Sequence, residues 1–420
     1  MKVGFLGLGK LGLPVALAIE SKGHYVCGTD ISTDTLENIK NKKIGYKEIW
    51  VDDYLKDTKL EVFDIEGVVK NSDIIFVPIQ TPHEEKYEGV TRIPKDRADF
   101  NYTYLIKGMK ELSEEIEKQG NDKIVIIIST VLPGTIRSEI KPIISNRVQL
   151  CYNPFFIAMG STMKDFLHPE FVLFGVDNLE AYKVCKEFYK TITSAPLYET
   201  TIENAELIKV SYNTLISTKI AFSNTIMELC HKLPNTNVDD VTNALKLANR
   251  RLISGSYMDG GMGDGGGCHP RDNIAMSYLS DKLNISHNWF EHIMQQREKQ
   301  SDWLGDLIIE NAKGLRINIL GKSFKAETNL TLGSPALLLQ NILEERKVEM
   351  NIWDPIVDGN YEEYSKKFEW NIKPQLFFVA TKHEEFNKFP FFPGSTVIDP
   401  WRYISVKKDV KLIRVGDSKQ

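Results

Sequence analysis

The most pointed chemistry in this chain sits in the run Gly263-Asp264-Gly265-Gly266-Gly267-Cys268-His269-Pro270-Arg271-Asp272. So many glycines carry a backbone entropy cost on folding, so they belong where backbone must come close to something or where positive φ is needed. Cys268 ends the run just ahead of a predicted helix, and a helix N-terminus favours the thiolate, the nucleophilic form of cysteine. Asp272, four residues on, is near enough to shape local proton transfer. A thiol placed beside a hydride acceptor suits aldehyde-level chemistry. It adds to an aldehyde to give a thiohemiacetal, hydride loss gives a thioester, and water releases an acid. Cys27, Cys151, Cys185 and Cys230 stand in apolar or helical contexts and read as small buried hydrophobes. The same reading is open for Cys268, but core cysteines seldom follow a polyglycine run.

A hydride acceptor has its own signature at the N-terminus. Gly7-Leu8-Gly9-Lys10-Leu11-Gly12 follows a predicted first strand and opens a predicted helix. In that setting Gly7 permits the tight turn, Gly9 lets backbone approach a pyrophosphate, and Gly12 lets helix and strand pack closely. The helix N-terminus offers N–H groups and partial positive charge to the phosphates. Asp30 ends the second predicted strand, where a carboxylate accepts hydrogen bonds from adenosine ribose hydroxyls and repels a 2′-phosphate, favouring NAD over NADP. A lone glycine turn with a surface aspartate is the plainer alternative; strand, turn, helix, second strand and acid all falling in register argue against it.

A third candidate is helical. In Glu206-Leu207-Ile208-Lys209-Val210-Ser211-Tyr212-Asn213, helical spacing puts Glu206, Lys209 and Asn213 on one face. That face can turn an ammonium and an amide toward a developing alkoxide, or it can be a solvated stripe with a Glu–Lys pair. From the helix alone the second is favoured.

These residues need a frame. At 420 residues the chain calls for two or three domains. Strand-like runs at Lys2–Leu6, Tyr25–Thr29, Ile74–Pro78 and Ile124–Ser129 alternate with helical patterns such as Leu13–Lys22 and Tyr104–Gln119, which predicts a parallel sheet covered by helices. From Ile202 to Leu233 the pattern is one long helix. Helical stretches follow at Val238–Asn249 and Asn273–Asn311, on either side of the glycine-rich segment Gly255–Gly267. Strand and helix alternation resumes with Ile317–Leu320, Ala336–Arg346, Val348–Trp353, Leu376–Ala380 and Thr396–Ile398. The expected fold is α/β, with two Rossmann-like doubly wound domains joined by a central helical domain. Its expected divisions are residues 1–200, 201–312 and 313–420. The long middle helix is the candidate domain link and dimer interface.

Composition narrows the class. A net charge of −5 gives no electrostatic reason to expect a nucleic-acid partner. Five dispersed cysteines without a CxxC pair make a disulfide framework or structural zinc unexpected, and no metal site is expected. No apolar run is long enough for a membrane span. The N-terminus enters a strand at once, which leaves no room for a signal peptide, so a cytoplasmic location is expected.

Taken together, these pieces resemble the UDP-glucose/GDP-mannose dehydrogenase family. The resemblance runs over nearly the whole chain and includes the N-terminal fingerprint, Thr81-Pro82, Ser129-Thr130 with Pro133-Gly134-Thr135, Asn153-Pro154, the Ala205–Asn213 helix, the Cys268–Asp272 loop and Gly321–Pro335. It implies an N-terminal NAD domain, a central helical dimerisation domain and a C-terminal nucleotide-sugar domain in a homodimer. It also implies two successive hydride transfers to two NAD that turn a C6 alcohol into a carboxylate. By position, Cys268 would be the nucleophile, Lys209 would stabilise oxyanions, Asn213 would donate, Asp272 would assist proton transfer or activate water, and Thr130 would place a water or the nicotinamide. Gly7, Gly9, Leu11, Gly12, Asp30, Thr81 and Thr130 would bind the cofactor. Phe155, Phe156, Lys209, Asn213, Arg251, Gly265 and Lys325 would line the substrate site, with Arg250 as the alternative to Arg251 for reaching a neighbouring subunit's sugar.

Three departures stand out. Phe155 replaces the glutamate of the family's Asn-Pro-Glu-Phe-Leu, a proposed acid/base for thioester hydrolysis, and phenylalanine cannot move a proton. Leu332 stands where arginine is common, and Arg271 replaces a lysine. The expected substrate is UDP-glucose, with a UDP-N-acetylhexosamine or GDP-mannose as runners-up. Phe155 also leaves room for a catalytically impaired NAD-binding homologue. A 2- or 3-hydroxyacid dehydrogenase would need neither the cysteine loop nor a second α/β domain.

Overall fold

The computed structural model describes residues 1–92, 94–249, 256–257, 259–282, 284 and 288–417, apart from the side chains at 225 and 229. The chain divides into two compact units, Met1–Pro82 with Phe100–Tyr212 and His83–Asp99 with Asn213–Gln420. The division falls inside one helix, Ile202–Lys232.

The first unit is built on eight strands: β1 (Lys2–Leu6), β2 (Tyr25–Thr29), β3 (Glu61–Val62), β4 (Ile74–Val77), β5 (Lys123–Ile127), β6 (Val148–Tyr152), β7 (Val172–Val176) and β8 (Leu197–Thr200). They lie in the order β3-β2-β1-β4-β5-β6-β7-β8. All neighbours pair parallel except β6 with β7. The central strands are apolar on both faces, as a sheet covered by helices on both sides requires. Along β4, Ile74 and Phe76 enter one core while Ile75 and Val77 enter the other. Ile126 of β5 and Cys151 of β6 follow the first pair, and Val125, Ile127, Leu150 and Tyr152 follow the second.

The second unit combines helices Val238–Lys246, His269–Lys282 and Trp289–Ala312 with a five-stranded, wholly parallel sheet. Its strands are β9 (Ile317–Leu320), β10 (Met350–Trp353), β11 (Leu376–Val379), β12 (Thr396–Asp399) and β13 (Lys411–Arg414), in the order β10-β9-β11-β12-β13. One face packs on Met227, Met262, Leu304 and Ile308; the other carries an aromatic core of Trp353, Trp370, Phe377, Phe386, Phe389 and Phe391.

The fold is therefore α/β with Rossmann-like sheets and a helical middle section. The predicted helix over Asn273–Asn311 is two helices, because Asn288 caps the second by accepting from the Glu291 N–H at 3.1 Å. Among the described residues no helix is long and apolar enough to cross a membrane.

Candidate active site

In the first unit the candidate cofactor residues collect at the carboxyl edge of the parallel strands β2, β1, β4 and β5. Strand order reverses there, and ligands of open α/β sheets bind at such a reversal. Gly7 ends β1 at φ +121°, and its N–H donates to the Thr29 carbonyl at 2.8 Å. A Cβ on Gly12 would fall 2.1 Å from the Gly7 carbonyl oxygen, whereas a Cβ on Gly9 would meet nothing within 4 Å. One glycine is thus demanded by the chain's own packing, and the other faces open space of the kind a pyrophosphate fills. Leu11 precedes the helix Gly12–Ser21 and packs against the core. Asp30 takes the Leu8 N–H at 2.7 Å and the Ser32 N–H at 2.9 Å on different oxygens. Each oxygen keeps a lone pair for a ribose hydroxyl. Past β4, the buried Thr81 hydroxyl donates to the Thr130 carbonyl past β5 at 2.6 Å, tying the two loops together. The residues present fit NAD.

Lys209 is buried, and its ammonium donates to the Phe155 carbonyl at 2.8 Å with the Phe156 ring 5.3 Å away. The Phe155 ring itself lies in the core against Phe76 and Phe166. So it is the backbone at position 155, not the side chain, that holds the lysine. Glu206 does not pair with Lys209 in the manner of a solvated stripe. It is fully buried and accepts from the Gly134 N–H at 2.6 Å and the Ile136 N–H at 2.9 Å. Burial raises its carboxyl from 4.5 to about 7, against those two donors. A folded value above the unfolded one means stabilisation that is fully present below about pH 4.5 and is lost as pH rises through about 7. The thermal midpoint of the wild-type chain, referred to that of Glu206→Gln, should therefore fall across that window. The change should be on the order of 3 kcal/mol at most. A difference independent of pH would contradict this reading of Glu206.

In the second unit, Cys268 stands at the N-terminus of the helix His269–Lys282, its carbonyl accepting the Asp272 N–H at 2.8 Å. It is the one partly exposed thiol of the five; Cys27, Cys151, Cys185 and Cys230 are buried. Asp272 is fully buried, accepting from the Asn213 amide and from Arg271 Nε at 3.1 Å. His83 lies in the field of that pair. Burial first, and then the Arg271 guanidinium, hold its imidazole down at about 4, so it is neutral near pH 7.

The polyglycine run has a packing cause. A Cβ on Gly265 would lie 2.9 Å from Pro335 and 3.0 Å from Phe324, and one on Gly267 would lie 2.9 Å from Leu332. The loop is pressed onto the segment that holds Lys325, whose ammonium sits 5.6 Å from the Phe324 ring. Arg297, buried in the helix Trp289–Ala312, pins the arrangement. It donates to the carbonyls of Asp264 at 3.1 Å, Gly89 at 2.9 Å and Gly333 at 2.9 Å. It also meets the Asp264 carboxylate at 2.9 Å, and Ser217 donates to that carboxylate at 2.8 Å. Asn224 and Gln300 hold the loop's start at Gly261 and Met262.

The structure thus brings together Gly7, Gly9, Gly12, Asp30, Thr81 and Thr130 in one unit, and Asn213, Asp272 and Cys268 in the other. Arg250 and Arg251 lie outside the described residues. Sequence reading missed Glu206's backbone role, His83, and the Arg297–Asp264 pair. Arg297 is a charged residue on the helical face that buries Ile293, Met294, Gln300, Ser301 and Leu304, and that position is its signal in the sequence.

The two sheets open alike. Gly321 ends β9 at φ +106°, its N–H donates to the Trp353 carbonyl at 2.7 Å, and Asp354 past β10 takes the Lys322 and Ser323 N–H groups at 2.7 and 3.0 Å. This repeats the Gly7, Thr29 and Asp30 arrangement without a matching sequence.

Comparison with known proteins identifies the family. Residues 1–193 match the NAD-binding domain of the UDP-glucose/GDP-mannose dehydrogenase family and residues 203–298 its central domain. A UDP-glucose 6-dehydrogenase of Rickettsia conorii is 28% identical over 367 residues, covering 85% of this chain and 81% of its own. A GDP-mannose 6-dehydrogenase of Pseudomonas aeruginosa is 26% identical over 371 residues, covering 85% and 82%. A solved UDP-glucose dehydrogenase from Pyrobaculum islandicum has the same fold, with a TM-score of 0.85 at 22% identity over 99% of this chain and 98% of that one. With its glycine turn, its acid and both matched domains in place, the chain belongs to the UDP-glucose/GDP-mannose dehydrogenase family, and its N-terminal part is that family's NAD-binding domain.

Proposed function

We propose that the chain oxidises the C6 primary alcohol of UDP-glucose to the carboxylate of UDP-glucuronate. The observation that carries the reading is Cys268, a partly exposed thiol at a helix N-terminus with the buried Asp272–Asn213 pair one helical turn behind it. NAD, when bound, accepts the hydride in each of two oxidations. The chain's residues do the rest. Cys268 adds to the C6 aldehyde, and the resulting thiohemiacetal loses hydride to become a thioester. Lys209, oriented by the Phe155 carbonyl, stabilises the oxyanion. Asp272 takes the proton from the water that opens the thioester, freeing the acid and the thiol. Overall, one alcohol, one water and two NAD give one carboxylate, two NADH and three protons.

In this reading residues 1–200 hold the cofactor, 201–312 form the dimerising helical part, and 313–420 bind the nucleotide sugar with Lys325. A homodimer is supported by Leu215 and Phe222, large apolar residues left exposed seven apart on one helix. The cytoplasm suits five free thiols. A catalytically impaired homologue is the second reading, favoured by the burial of Phe155, which leaves no side-chain acid at that position. Acid formed per NADH released decides between them. A ratio of one to two supports the full oxidation with Asp272 in place of the missing glutamate. Accumulated aldehyde or acyl-enzyme would overturn it. A screen of UDP- and GDP-sugars for NADH release tests the substrate directly; a strong preference for GDP-mannose or an N-acetylhexosamine would displace UDP-glucose.

A further inference from the structure

A cluster at the carboxyl edge of the five-stranded sheet has no part in the chemistry above. One ring nitrogen of His383 and one carboxylate oxygen each from Glu327 and Glu385 lie within 4.8 Å of one another. The two glutamates are exposed, and His383 is fully buried. Three features single out the histidine. Its Nε2 is engaged by the Asp354 carboxylate at 3.1 Å and by Ser323 Oγ at 3.1 Å. Its Nδ1 is buried with no hydrogen-bond partner, and an unpaired buried ring nitrogen is costly. Its ring orientation is set by an edge contact with Phe386, centroids 5.5 Å apart at 88°.

An imidazole whose second nitrogen is hydrogen-bonded to a buried carboxylate is the arrangement that orients histidine ligands on metals. Asp354 is itself fixed, taking the backbone N–H groups of Lys322, Ser323, Ile356 and Val357. The imidazole therefore has little freedom, while the two exposed glutamates can close in to the roughly 2.0–2.2 Å bonds that a cation requires. One nitrogen and two carboxylate oxygens suit the borderline cation Zn²⁺ better than Mg²⁺ or Ca²⁺, which favour all-oxygen sites, and Mn²⁺ serves as a spectroscopic probe of the same ligands. Ser323 follows β9 and His383 follows β11, the strands flanking the order reversal β10-β9-β11-β12. Three protein ligands at that edge leave coordination positions open to water or to an oxygen of a ligand bound there.

We propose that His383 Nδ1, Glu327 and Glu385 bind one divalent transition cation, with Asp354 as the residue that orients the imidazole. This departs from the sequence-based expectation of no metal site and does not depend on the dehydrogenase reading.

The test uses the full chain, stripped of metal by a chelator and dialysed. Zn²⁺ is then followed by equilibrium dialysis with elemental analysis, and Mn²⁺ by electron paramagnetic resonance. The expected result is one saturable equivalent per chain, with nitrogen coupling from a single imidazole on Mn²⁺. Glu327→Gln and Glu385→Gln, isosteric changes at exposed positions, should each weaken binding by about ten-fold or more. Cys268→Ser should leave it unchanged. Absence of saturable binding, absence of nitrogen coupling, unchanged affinity in both glutamine variants, or loss of binding in Cys268→Ser would each overturn the proposal.

Discussion

Cys268→Ser is expected to leave NAD binding intact while lowering acid formation by about 10³-fold or more. A serine hydroxyl fits where a thiol fits, and the helix His269–Lys282 keeps its N-terminal partner because the contact is made by the residue 268 carbonyl to the Asp272 N–H. What is lost, on the proposed mechanism, is the nucleophile. Sulfur is a far better nucleophile toward an aldehyde carbon than a hydroxyl oxygen is. The aldehyde can then no longer be held covalently for its second oxidation. Acid production should collapse with cofactor affinity unchanged by fluorescence titration. Unchanged acid production would place the chemistry elsewhere.

The second large effect concerns the cofactor turn. Gly12→Ala should abolish NAD binding and lower the thermal midpoint of the first unit, because the new Cβ would sit 2.1 Å from the Gly7 carbonyl oxygen. Backbone cannot swing aside as a side-chain tip can, so helix and turn must part. Overpacking of this sort costs about 1–3 kcal/mol or more. Gly9→Ala is the matched comparison. Its Cβ meets nothing within 4 Å of the chain's own atoms, so the fold should persist while NAD affinity falls by about ten-fold or more, since the methyl occupies the pyrophosphate's approach. Thermal melts and NADH fluorescence on both variants read the two effects apart. Wild-type NAD affinity in Gly12→Ala would contradict the assigned geometry.

Much of the frame is legible in the amino-acid sequence. β4 and β11 fall where unbroken apolar runs place them, because a parallel strand buried on both faces leaves a continuous hydrophobic signal. The edge strands leave no such trace. β3 is only Glu61–Val62, and β8 exposes Tyr198 and Glu199, so neither presents a continuous apolar run. The antiparallel turn from β6 to β7 is likewise a matter of connection rather than composition.

At the site, residue identity is readable and partnership is not. Helical spacing puts Glu206 beside Lys209, yet Glu206 reaches backbone near Gly134 and Lys209 reaches Phe155, partners far away in sequence. Phe155 reads as a lost acid. Its ring is core, and its carbonyl positions the ammonium, a role that side-chain comparison cannot reveal. The glycines before Cys268 suggest close approach, and the close neighbour is the chain itself at Phe324 and Pro335.

The most direct measurement is intact and peptide-level mass spectrometry of the chain quenched during turnover with NAD and UDP-glucose. The expected result is a transient mass gain equal to the nucleotide-sugar acyl group, confined to the peptide containing Cys268 and absent from Cys268→Ser. Acid appearing at full rate while Cys268 stays unmodified, or an adduct carried by another residue, would contradict a covalent role for this sulfur.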